Sequence, residues 1–159
     1  VPDRNGKIFY TSITSLSHIS KATRKEAFRL TDELQNAGDV IKCTEITEKK
    51  KRSLLSSFFS GCPKALHRKA SKIAPVQIEQ DADRFIVGCP IWAGFPAPAF
   101  NAIIPLIPDG KEVELYFCSG GGEEPKSKQG TIDLIKLKGL TLISYRDIKT
   151  NEQPKKEIK

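Results

Sequence analysis

Hydrophobic positions along this chain change period several times, and each change marks an element. Residues 7–10 make a short apolar strand after a polar Asp-Arg-Asn-Gly start. Ile19, Ala22, Ala27, Leu30, Leu34 and Ala37 then recur at helical spacing, with Ser17 placed to cap the start and Gly38 to end the run. Residues 40–46 alternate as a second strand, Val40, Lys42 and Thr44 against Ile41, Cys43 and Glu45. A third strand spans residues 84–88, and a fourth, 112–118, follows a Pro108-Asp109-Gly110 turn. Helices are expected near 99–106 and across 126–136, and a fifth strand over 140–144 after Gly139. Strand and helix thus alternate, which predicts an α/β fold: a parallel sheet with helices on both faces.

Residues 48–72 break the alternation. Lys49-Lys50-Lys51-Arg52 leads into Leu54-Leu55 and Phe58-Phe59, then Gly61-Cys62-Pro63, then Lys64, His67, Arg68, Lys69 and Lys72. This reads as a basic insertion holding one or two short amphipathic helices. A polar, lysine-rich tail is expected from about 147 to 159.

The 159 residues suit one domain with a substantial core, and 38% apolar with 28% charged residues fit a globular chain. No stretch approaches the ~18 apolar residues of a membrane span. A start at Val1-Pro2-Asp3 and the lack of methionine point to a processed or excerpted chain, and the first residues do not have a signal peptide's pattern. Lysine and arginine number 26 against 19 acids, a net charge of +7, which favours anionic partners. Cys43, Cys62, Cys89 and Cys118 are widely spaced without C-x-x-C, and the two histidines lie far apart. A zinc site or disulfide framework is therefore not expected, and a reducing cytoplasm is.

Three loops carry candidate chemistry. The first holds five hydroxyl residues in the seven positions from Thr11 to Ser17, ahead of a helix. Hydroxyls and backbone N–H groups at a helix N-terminus bind a phosphate monoester, although one of them would suffice for capping. The second, Pro90-Ile91-Trp92-Ala93-Gly94, bears the chain's sole tryptophan, which either offers a flat ring to a flat ligand or plugs the core. The third, Ser119-Gly120-Gly121-Gly122, lets backbone amides come close to a ring edge, or is simply a flexible turn. Each loop directly follows an apolar strand, and in open α/β sheets ligands bind at the carboxyl ends of strands. His18 beside the first loop could pair with a phosphate but reads rather as a solvated helix-start residue, and Cys89 and Cys118 at strand ends read as small buried fillers rather than redox thiols.

With these motifs the chain resembles the flavodoxin family over about residues 6–146. Ser12-Ile13-Thr14-Ser15-Leu16-Ser17 is similar to the family's T/S-x-T-G-x-T phosphate loop in Ser12, Thr14 and Ser17, and departs from it at Ser15, where glycine is usual. Gly88-Cys89-Pro90-Ile91-Trp92-Ala93-Gly94 resembles its G-x-P-x-W loop, whose aromatic ring covers one face of the isoalloxazine. Residues 111–121 resemble the strand and loop that edge the flavin, which would put Ser119, Gly120 and Gly121 along the ring. The basic insertion is similar to that of a subgroup of bacterial and archaeal flavodoxin-like proteins.

The resemblance implies a flavodoxin-like, doubly wound, five-stranded parallel sheet with helices on both faces, occupying residues 1–159 as one domain. It implies FMN held by Ser12, Ile13, Thr14, Ser15, Leu16, Ser17, Pro90, Ile91, Trp92, Ala93, Gly94, Ser119, Gly120 and Gly121. The expected function is redox: electron transfer, or a small FMN-dependent oxidoreductase acting on a quinone or similar acceptor. A redox partner protein or small-molecule acceptor would be its partner, with an acidic protein or anionic membrane surface met by residues 48–72. The alternative is a flavodoxin-like interaction module without flavin, docking through the basic insertion and favoured by Ser15. Nucleic-acid binding, with Phe58 and Phe59 stacking on bases, lacks a supporting motif.

Overall fold

The computed structural model describes residues 7–13, 18–47 and 69–150, with backbone alone for 7–13 and 18–20. In chain order the elements are β1 (Lys7–Ile13), α1 (His18–Asn36), β2 (Val40–Ile46), β3 (Arg84–Trp92), β4 (Phe95–Pro96), α2 (Pro98–Ile103, continued by a 3-10 turn at Ile104–Leu106), β5 (Glu112–Ser119), α3 (Pro125–Leu137) and β6 (Thr141–Lys149). Strands β2-β1-β3-β5-β6 lie side by side in that order, each parallel to its neighbours, and β4 folds back antiparallel on the end of β3. The order is compatible with a flavodoxin-like fold.

Central position explains the composition of β3. From Phe85 to Trp92 every residue is buried, because neighbours flank it on both edges and helices cover both faces. Alternation sends Phe85 and Val87 to one face and Ile86 to the other. On the first face, α2 and α3 contribute Phe100, Ile103 and Ile135 to the larger core, where Phe100 meets Phe117 edge-on at 5.5 Å. Burying each such phenylalanine contributes about 1.5–3 kcal/mol. On the second face α1 lays Ala27 and Leu30 over Ile86, Tyr116 and Cys118. Arg146 of β6 reaches this face as well, bonded to Glu26 at 3.2 Å with its guanidinium 5.7 Å from the Tyr116 ring centre.

Several boundaries differ from the sequence reading. The first strand runs to Ile13 rather than Tyr10, so Ser12 and Ile13 are strand residues. The third continues through Pro90 to Trp92. Its last pairing with β1 is Ser12 with Gly88, and Pro90, which lacks an N–H, lies beyond that ladder. The last strand reaches Lys149, so residues 147–149 of the expected tail are paired with β5. Of the expected insertion, 48–68 lies outside the described residues, as does 151–159 of the tail. Residues 69–72 join the body, where Ser71 is buried and its N–H donates to the Pro98 carbonyl at 3.3 Å.

Candidate functional site

Because β1, β3 and β5 are parallel, their carboxyl ends reach one edge of the sheet. Register places them level: Ser12 is beside Gly88, and Pro90 is beside Cys118. Strand order reverses between β1 and β3, which makes this edge a topological switch point, the usual ligand crevice of open α/β sheets. The three sequence motifs therefore leave the sheet at a common rim. Ser12 and Ile13 end β1, while Thr14, Ser15, Leu16 and Ser17 lie outside the described residues.

The second motif is a hairpin rather than an open loop. Ile91 pairs with Pro96 and Trp92 with Phe95, joined by a two-residue turn at Ala93 and Gly94. Both turn residues have positive φ, 50° at Ala93 and 83° at Gly94, as a type I′ turn requires. Ala93 is the one non-glycine with positive φ among the described residues, and it is exposed. Strain of this kind concentrates at functional sites. Pro90 anchors the hairpin's return, its carbonyl accepting the Ala97 N–H at 3.0 Å. Trp92 is 7% exposed and packs within the larger core, so its indole is no open platform.

The third motif is tightly held at its base. Ser119 is buried, and its Oγ accepts the Gly122 N–H at 2.9 Å. Its carbonyl accepts both the N–H and the hydroxyl of Thr150, at 2.8 and 3.1 Å. Ser119 thus shapes the loop, while Gly120 and Gly121 are exposed and a β-carbon on either would meet nothing within 4 Å. The loop also touches the hairpin. Glu124 donates its N–H to the Gly94 carbonyl at 3.0 Å, and a β-carbon on Gly94 would stand 2.4 Å from Glu124 Cγ.

Sequence reasoning missed Glu123, Glu124, Tyr145 and Thr150, which hold the glycine loop. The pair of acids directly before Pro125 was the available signal, since proline at the first helical position marks the start of α3 there. Tyr145 and Thr150 carried none, because the strand that presents them was read too short. The thiols behave as fillers: Cys89 and Cys118 are fully buried, and burial pushes both above the ordinary thiol range. Among the described residues no group of three or more His, Cys, Asp or Glu side chains could hold a metal, and no helix is long and apolar enough to cross a membrane.

No family model and no curated protein matches the sequence. Solved structures do. The flavoprotein of Lactobacillus acidophilus NCFM, crystallised in complex with FMN, superposes with a TM-score of 0.70 at 17% identity, covering 89% of this chain and 93% of that one. A candidate flavoprotein from Bacteroides eggerthii gives 0.73 at 16% identity over 90% and 88% of the two chains. An NADH:FMN oxidoreductase in its apo form gives 0.50 at 14%, over 89% of this chain and 75% of the other. At these identities the likeness establishes a shared fold.

Proposed function

We propose that this chain is a doubly wound, flavodoxin-like flavoprotein of one domain that binds FMN at the carboxyl edge of its sheet and serves electron transfer or a small FMN-dependent oxidoreductase reaction. One observation carries the reading: the ends of β1, β3 and β5 share a rim on which the open Gly120 and Gly121 stand beside a hairpin tied to their own loop. The fold shared with a protein crystallised with FMN supports it.

In this reading Ser12, Ile13, Thr14, Ser15, Leu16 and Ser17 grip the phosphate ahead of α1, whose N-terminal dipole favours negative charge. Backbone amides of Ala93 and Gly94 and of Gly120 and Gly121 face the ring edge, with Ser119 setting the shape of their loop. Pro90, Ile91 and Trp92 form the wall behind. Bound FMN would supply the redox chemistry, and the chain orients the ring and keeps water from it. A redox partner protein or a small acceptor such as a quinone would exchange electrons at this rim. The charge of +7 fits an acidic partner or anionic membrane surface, met by residues 48–72. Free Cys43, Cys89 and Cys118 fit a cytoplasmic setting.

The burial of Trp92 favours a second reading, an interaction module of the same fold that holds no flavin and docks through residues 48–72. Colour separates the two. Protein mixed with excess FMN and desalted should keep absorbance bands near ~370 and ~450 nm, with emission of the sole tryptophan quenched as FMN is added. A colourless product with unchanged tryptophan emission supports the module instead.

A further inference from the structure

The glycine loop is fastened by a carboxylate that reaches away from it. Glu123 Oε1 accepts the Ser127 hydroxyl at 2.8 Å, and its Oε2 accepts the hydroxyl of Tyr145 on β6. Ser127 is fully buried, and the Tyr145 ring packs on Phe117 at 5.1 Å beneath the Lys128 ammonium, 4.9 Å from its centre. A carboxylate that serves only to start a helix can satisfy itself on exposed backbone N–H groups. Glu123 instead spans from the start of α3 to the edge strand, tying the two through a single side chain. Thr150, just past the same strand, already holds the loop at Ser119. Entry and exit of the loop are thus pinned to one strand, with Gly120 and Gly121 between the pins. Glu124 passes the constraint on to the hairpin through Gly94.

We propose that Glu123 is a positioning residue for the ring-binding amides of Gly120 and Gly121, acting through Tyr145 and Ser127. This rests on the FMN reading and adds to it a residue that touches no ligand. Hydrogen bonding at this scale predicts effects of about three- to tenfold.

Two measurements on Glu123→Gln, Tyr145→Phe and the double variant test it, with Leu134→Ala of α3 as a control for loss of stability alone. In protein without FMN, amide hydrogen exchange across residues 119–124 should quicken by about three- to tenfold in each single variant and no further in the double. In titrations, the FMN dissociation constant should rise by a similar factor in the same three proteins and stay at the wild-type value in Leu134→Ala. Exchange at the wild-type rate in both single variants would overturn the positioning role whether or not FMN binds. So would single-variant effects that multiply in the double. Faster exchange in the variants beside a wild-type protein that binds no FMN would instead overturn the flavin reading, and with it the ring as the thing positioned.

Discussion

Gly88 and Tyr116 occupy adjacent strands so closely that a β-carbon on the glycine would stand 2.0 Å from the tyrosine ring. The ring lies across β3 at this point, and its hydroxyl donates to the Thr23 carbonyl at 3.1 Å, tying α1 to the middle of the sheet. In the sequence Gly88 heads the tryptophan motif; in the fold it makes room for Tyr116. Gly88→Ala should therefore cost about 3 kcal/mol, the upper end of ordinary overpacking, and much less in a Tyr116→Leu background. Tyr116→Phe should cost about 1 kcal/mol for the lost hydrogen bond. Chemical denaturation of the wild type, the three single variants and the double variant reads all of these terms.

Ala93 bears a left-handed backbone that alanine adopts at a cost. Ala93→Gly should raise stability by roughly 1 kcal/mol, while Ala93→Val should lower it by more than that. Thermal unfolding checks both signs. A destabilised glycine variant would mean that the turn is held in another conformation.

Tyr145 is raised well above the ordinary tyrosine range, chiefly by burial and next by its bond to the Glu123 carboxylate. The folded protein therefore keeps a proton that the unfolded chain loses near pH ~10, so stability should fall as pH rises past that point. Tyr145→Phe should flatten this fall. Spectrophotometric titration should show that the native protein holds back a tyrosine from ionising near pH ~10, and that Tyr145→Phe removes that tyrosine from the count. An unaltered slope in the phenylalanine variant would show that Tyr145 is not the group responsible.

Thiol labelling offers a test of burial. In a Cys62→Ser background at about pH 8, Cys43 on the exposed edge strand should react, while Cys89 and Cys118 should not until the protein unfolds. Burial raises all three of these thiols, so accessibility rather than acidity separates Cys43 from the other two. Mass spectrometry of labelled peptides gives the count directly.

Much of the fold was legible because period follows from burial. Val40–Ile46 was bounded to the residue, although burial along this edge strand does not alternate strictly. The helix ending before Gly38 and the buried run from Phe85 were equally plain. Pro90 was not, because proline reads as a strand's end unless a neighbour's ladder is known to have stopped at Gly88. Asp147, Ile148 and Lys149 read as the start of a tail, yet they pair with β5 at the sheet's edge, where polar side chains are tolerated. For the site, the sequence ordered three loops, and the register brings their strands to one rim. It could not tell that Trp92 lies within the core, or that Glu123 and Tyr145 hold the glycine loop from across the sheet, because those contacts join residues far apart in the chain.

The most direct test is the amide 1H–15N spectrum of the full chain during titration with FMN. Binding at the carboxyl edge predicts saturable shifts at Ala93, Gly94, Gly120 and Gly121, complete near one equivalent of FMN when the protein concentration is well above the dissociation constant. A spectrum untouched by excess FMN, or shifts confined to the opposite edge at Gly110 and Gly139, would contradict it.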